Sequence, residues 1–210
     1  MKLIYASVLP MILVRALQAN IQLIGLMLAG RGITIFGEYS GSTPINGIMY
    51  YLAPINSPYD WIPSLVQETF TGYGVAAPEL WQIGLHVLVD AFMLIAGGII
   101  FALFWIETTG MGAKPTARKV FNSGMQIPGF RRNIGSIEKV MDRYIPRVTI
   151  IGGAFIGALT LVASLLGTIG GAGGTGLLLT VSIVYRLYED IASEQMMEMH
   201  PMMRSFFGQE

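Results

Sequence analysis

The chain has 210 residues, 13 Lys/Arg balanced by 13 Asp/Glu, and no cysteine. Charged residues make up 12% and the mean hydropathy is +0.58, which sets it apart from soluble domains, where about 25% of residues are charged. Zero net charge excludes recruitment of a polyanion by a global field, so charge must act locally. The lack of cysteine excludes disulfides, thiolate metal ligands and a thiol nucleophile.

The first apolar segment runs over about residues 3–29. It is too long for a signal peptide, Lys2 is its only leading charge, and no small-residue cleavage site follows. Pro10 suits a first helical turn if the helix opens near Ser7. With no polar leader, the chain reads as the continuation of something longer. At 100° per residue, Arg15, Gln18 and Gln22 fall within about 60° of one another. Leu9, Ile12 and Ala16 form an adjoining apolar stripe, and Asn20 faces elsewhere. An arginine in hydrocarbon costs about 2.5–3.5 kcal/mol on insertion scales, so this face should meet polar groups or water. Two readings stay open: an interhelical hydrogen-bond cluster, or the wall of an aqueous conduit beside a greasy constriction.

Residues 30–79 form an external loop punctuated by glycine and proline. Its apolar islands, Gly47-Ile-Met-Tyr-Tyr-Leu52 and Trp61-Ile-Pro-Ser-Leu-Val66, predict short helices, with Tyr50, Tyr51 and Trp61 as interfacial anchors. The second span covers about 80–106, a run of 27 residues with one charge, Asp90. A helical span needs about 20. His86 and Asp90 make an i, i+4 polar pair, too little for a catalytic site.

The loop 111–147 holds eight basic residues: Lys114, Arg118, Lys119, Arg131, Arg132, Lys139, Arg143 and Arg147. The external loop holds one, Arg31. The positive-inside rule therefore makes 111–147 cytoplasmic. Residues Pro115–Phe121 suggest one short helix. Ser136 can cap another, with Ile137, Val140, Met141 and Tyr144 on one face. Between them, Ile127-Pro-Gly-Phe-Arg-Arg132 is a turn presenting Arg131 and Arg132. The charge is either topogenic only or a docking surface for a partner rich in phosphate or carboxylate.

The third span covers about 148–169, and Gly153/Gly157 at i, i+4 reads as a helix-packing site. Gly170–Gly176 is a tight re-entry turn; it lacks the lysine of a phosphate loop. The fourth span, about 174–192, is the weakest, because Arg186, Glu189 and Asp190 follow its apolar stretch. A cytoplasmic tail, 193–210, completes an all-α integral membrane protein of four transmembrane helices with both termini cytoplasmic. No HExxH, GxSxG or Walker pattern occurs, and no catalytic residue, metal site or cofactor is expected.

The segments Ala19-Asn-Ile-Gln22, Gly47-Ile-Met-Tyr-Tyr-Leu52, Phe104-Trp-Ile-Glu-Thr-Thr-Gly110, Pro128-Gly-Phe-Arg131, Tyr144-Ile-Pro146 and Gly173-Gly-Thr-Gly-Leu-Leu-Leu-Thr-Val-Ser-Ile-Val-Tyr-Arg186 resemble the archaeal SecY family. The likeness covers essentially the whole chain. It implies the last four spans of a ten-helix channel, the C-terminal half less its first helix, which cannot close a pore alone. It further implies a protein-conducting role in the plasma membrane, passing unfolded polypeptides.

By position, the resemblance assigns Leu9, Ile12 and Leu179 to the pore ring. Asn20 matches a polar position of the lateral gate, with Gln18 and Gln22 on the same span. Arg15, grouped with them, departs from the family's pattern. Arg131, with Arg132 beside it, matches the arginine that docks the ribosome through its RNA. The implied partners are the N-terminal half of the channel subunit, SecE, the small beta subunit, the ribosome, the translocating polypeptide and membrane lipid. The alternative is a subunit of an unrelated membrane transporter or a membrane scaffold. A transporter would show broken helices converging on a midplane ion site, whereas Arg15 and Asp90 read as few and far apart in depth.

Overall fold

A computed structural model of the protein describes residues 9–122, 133–167 and 174–199. Helix α1 (Leu9–Gly30) leads to a small antiparallel hairpin, β1 (Tyr39–Ser40) and β2 (Thr43–Pro44). The short helix α2 (Gly47–Tyr51), a 3-10 turn (Pro58–Asp60) and α3 (Pro63–Gly72) complete the segment between α1 and α4. Then come α4 (Leu80–Thr108), α5 (Ala113–Asn122), α6 (Ile134–Leu166) and α7 (Gly174–Met199). Among the described residues, α1, α4 and α6 are long and apolar enough to cross a membrane. Helix α7 forms over 26 residues but is not among them, because Arg186, Glu189, Asp190 and Glu194 crowd its second half. The count of spans that length and apolarity support is therefore three, against the four read from sequence.

The centre of the fold is the α4–α6 contact. Lipid tails are as apolar as leucine, so membrane helices associate by close packing rather than by leaving water. Glycine permits the closest approach. A Cβ on Gly153 would lie 2.9 Å from the Gly98 carbonyl oxygen, and one on Gly157 would lie 2.7 Å from that of Leu94. Helix α1 packs on the same seam through Met11 and Val14, which join Leu94, Ala102 and Ile156 in one buried cluster. The Gly153/Gly157 spacing thus does what it suggested.

Around residues 111–147 the boundaries differ from the expectation. The short helix and the third span are one continuous rod, α6, with Pro146 inside it. Its cap is Asn133, whose side chain accepts the Gly135 N–H at 3.1 Å, not Ser136. Ile137 and Met141 do share a buried face, against Ala117 of α5. Tyr144 is exposed, and its neighbour Ile145 packs against that cluster in its place. Helix α6 ends at Gly167, whose φ of +71° an L side chain rarely adopts.

The segment between α1 and α4 is a packed unit. Tyr50, Val66, Phe70 and Ile83 form its core, and Asp60 closes a capping box with Ser57. Tyr50, expected as an interfacial anchor, is a core residue instead, with only 7% of its surface exposed. Trp61 does anchor, but to protein: its indole N–H donates to the Leu165 carbonyl at 2.8 Å, tying the loop to the end of α6. The residues before Leu9, the Arg131–Arg132 tip, the turn up to Gly173 and the tail beyond Met199 lie outside the described residues.

Candidate functional site

Arg15 gathers the polar residues of the spans around itself. Its Nη1 donates to Asp90 Oδ1 at 3.1 Å and to Gln18 Oε1 at 2.9 Å. Its Nη2 donates to Ser164 Oγ at 2.9 Å and to the Ile55 carbonyl at 3.2 Å. Gln18 Nε2 also donates to Asp90 Oδ1, at 2.9 Å. Gln18, Asp90 and Ser164 are buried to within 1% of fully. One guanidinium thus joins α1, α4, α6 and the α1–α4 segment.

The local reasons are simple. Arg15 and Gln18 sit one turn apart on α1, on the side that holds Met11 and Val14 against α4. Asp90 lies on the buried edge of α4 with His86 and Leu94. Ser164 lies on the buried edge of α6 with Thr160 and Gly157. A guanidinium has five donors in a fixed fork and reaches several acceptors at once. Of the two readings left open for this face, the hydrogen-bond cluster is the one the geometry realises for Arg15 and Gln18. Arg15 and Asp90 are not far apart in depth, as the sequence suggested, but an ion pair. Such a pair restricts which surfaces can meet, because slipping one helix by a turn, about 5.4 Å, would strand a charge among apolar groups.

Nor do His86 and Asp90 pair with each other. His86 Nε2 lies 2.9 Å from the Ala53 carbonyl, which can only accept, so this nitrogen carries the proton. The His86 ring also stacks at a tilt on Tyr50, with centroids 4.7 Å apart.

Gln22 turns outward along α1 to the loop. It donates to the Met49 carbonyl at 2.8 Å and accepts from the Tyr39 hydroxyl at 3.1 Å. Burial raises the Tyr39 phenol above its ordinary value. Burial also raises Tyr50, to about 12, helped by nearby Tyr51 and Asp60. Asn20 is exposed on the opposite side of α1. Leu9 is exposed as well, Ile12 and Leu179 are half-buried, and α7 touches both α1 and α6. The residues read as one polar gate group therefore divide into a buried pair on Arg15, a loop anchor at Gln22, and a free Asn20. Sequence reasoning missed Ser164 and the Ile55 carbonyl. A serine within an apolar span was the only hint of the first, and a backbone carbonyl leaves none.

Comparison with known proteins adds the following. The SecY family model matches residues 1–188. Protein translocase subunit SecY of Archaeoglobus fulgidus is 58% identical over 209 residues, covering 100% of this chain and 42% of that protein. The same subunit of Haloarcula marismortui is 58% identical over 210 residues, covering 99% and 42%. A solved structure of a protein conducting channel superposes with a TM-score of 0.71 at 39% identity, over 96% of this chain and 42% of the other. The chain thus spans about 42% of the length of the relatives it matches.

Proposed function

The chain belongs to the SecY family, and on that premise we propose that it forms the last four spans of a SecY-type protein-conducting channel, through which unfolded polypeptides cross or enter the membrane. Helix α7 serves as the fourth span, with its charged end in the cytoplasm. The remaining six spans, the N-terminal half and the first helix of the second half, come from the rest of the channel subunit, and SecE and the small beta subunit complete the assembly.

The observation that carries this reading is the two-sided character of α1. One side is locked by Arg15, Gln18, Met11 and Val14. The other side leaves Leu9, Leu13, Leu17 and Asn20 uncovered by the chain's own helices. A helix held rigidly on one side and open on the other suits a wall that a second half completes. Leu9 and Ile12 at its start, with Leu179 of α7, supply aliphatic side chains for a constriction that seals by dewetting. Asn20 supplies a hydrogen-bonding group at the gate.

Arg131 and Arg132 complete the reading as the ribosome-docking tip. Changing both to glutamate should weaken co-sedimentation of the assembled complex with ribosomes and flatten its salt dependence, because each phosphate contact releases counterions. Unchanged binding across the salt series would reduce the loop to a topogenic role. The placement has its own test. The chain should co-purify with a co-expressed fragment carrying the first six spans of a relative. Co-purification only with a relative's C-terminal spans would make it an N-terminal piece instead.

A further inference from the structure

The outer side of α6 carries a continuous ridge at i+4 steps: Arg143, Arg147, Ile151, Phe155 and Leu159. All five are exposed, Ile151 by 62% and Phe155 by 56%. Exposed Tyr144 flanks the two arginines. Among the described residues, neither arginine has a carboxylate within ion-pair distance; neighbouring Asp142 projects about 100° away around the helix. Among the described residues, the two charges belong to no fold-holding contact, unlike Arg15.

We propose that this ridge is a seat for an anionic phospholipid of the leaflet at the α5 side. Its headgroup phosphate lies between Arg143 and Arg147, and an acyl chain runs along Ile151, Phe155 and Leu159. Guanidinium groups match phosphate with paired N–H donors. From Arg147 to Leu159 the helix rises about 18 Å, close to the ~15 Å depth of one leaflet's hydrocarbon. The apolar part of the ridge, Ile151 to Leu159, covers about 12 Å of that rise, most of the length of one leaflet's lipid tail. Tyr144 sits at the level where aromatic side chains favour the headgroup boundary. A nucleic acid would engage the arginines but leave the contiguous apolar ridge unused, so lipid accounts for more of the surface. The inference rests on α6 crossing the membrane and on no assignment of the Arg131–Arg132 tip.

The test is native mass spectrometry of the purified full complex containing this chain. It is titrated in mixed micelles with phosphatidylglycerol or with phosphatidylcholine of the same acyl chains. Phosphatidylglycerol should be retained in preference, and R143Q/R147Q should weaken that retention roughly tenfold, as expected for two basic groups at an anionic surface. R143K/R147K keeps both charges and should retain the lipid nearly as wild type. K114Q/K119Q, at two exposed lysines of α5, should change little. No preference between the lipids, a preference that survives R143Q/R147Q, or equal loss in K114Q/K119Q would each overturn the proposal. So would loss of ribosome binding by R143Q/R147Q with lipid retention intact, which would assign the arginines to RNA.

Discussion

Arg15 and Asp90, 75 residues apart in the chain, meet at 3.1 Å between α1 and α4. The contact converts two residues that are each unfavourable in hydrocarbon into a mutual requirement. Gln18 and Ser164 share the load by occupying further acceptor and donor positions. The first helix is thereby held at one depth and one rotation.

Breaking the pair should cost far more than removing it. Asp90→Asn leaves a buried guanidinium without its counter-charge and should lower stability by about 3–5 kcal/mol. The double replacement R15M/D90L removes both charges and should cost less than either single change. Thermal unfolding of the solubilised complex checks this as a double-mutant cycle. Additive losses would mean that the two residues act independently.

Gly157 should tolerate no branched side chain. A Cβ there meets backbone, the Leu94 carbonyl oxygen at 2.7 Å, and backbone cannot rotate aside. Gly157→Val should destabilise by about 1–3 kcal/mol or more through overpacking. Gly84→Ala, where nothing lies within 4 Å of the added carbon, should be neutral or slightly stabilising. Melting temperatures of the two variants compare them directly.

The sidedness of the loops can be read with cysteines, since the chain has none of its own. Thr71 of α3 and Lys119 of α5 are both exposed. Single Thr71→Cys and Lys119→Cys variants should label with an impermeant maleimide from opposite sides of the membrane. Labelling of both from one side would remove the basis for calling 111–147 cytoplasmic.

The constriction proposed at Leu9, Ile12 and Leu179 predicts a leak. Replacing Ile12 and Leu179 with glycine should raise the resting ion conductance of reconstituted channels that contain the missing spans, because a narrow apolar ring excludes ions only while it stays dewetted. Wild-type resting conductance would make both side chains ordinary packing residues.

Tyr50 should ionise late. Its phenol is raised from the ordinary 10 to about 12, so the folded external loop favours the protonated form. Its stabilising contribution is complete below pH 10, where folded and unfolded chains are both protonated. It declines from pH 10 to about 12 as the unfolded chain gives up its proton first. Phenolate absorbance should show a component titrating at about 12 that disappears in Tyr50→Phe, together with a shallower loss of stability over that range.

Much of the molecule was legible in the chain. Of the four spans read from the apolar runs, the structure supports three, α1, α4 and α6, by length and apolarity, because these are local and additive properties. Gly153 and Gly157 announced close packing because small residues at i, i+4 have few other uses in a span. The three-way separation of Arg15, Gln18 and Gln22 from Asn20 followed from helical projection alone, and the structure keeps them on opposite sides of α1.

Pairings were another matter. The sequence by itself determined which residues could not face lipid: Arg15 because of its charge, Asp90 because it stands alone in an apolar run, and the glycines because they pack. Only the tertiary structure decided what each one meets. It took Asp90 away from its neighbour His86 and gave it to Arg15, turned Tyr50 from a membrane anchor into a loop core, and replaced the Ser136 cap with Asn133 at the head of a single long helix. The physical reason is that a polar group in a span is satisfied by any donor or acceptor of suitable reach. Sequence specifies that such a partner must exist, but its identity depends on the depth, rotation and spacing of helices fixed together by packing over the whole fold.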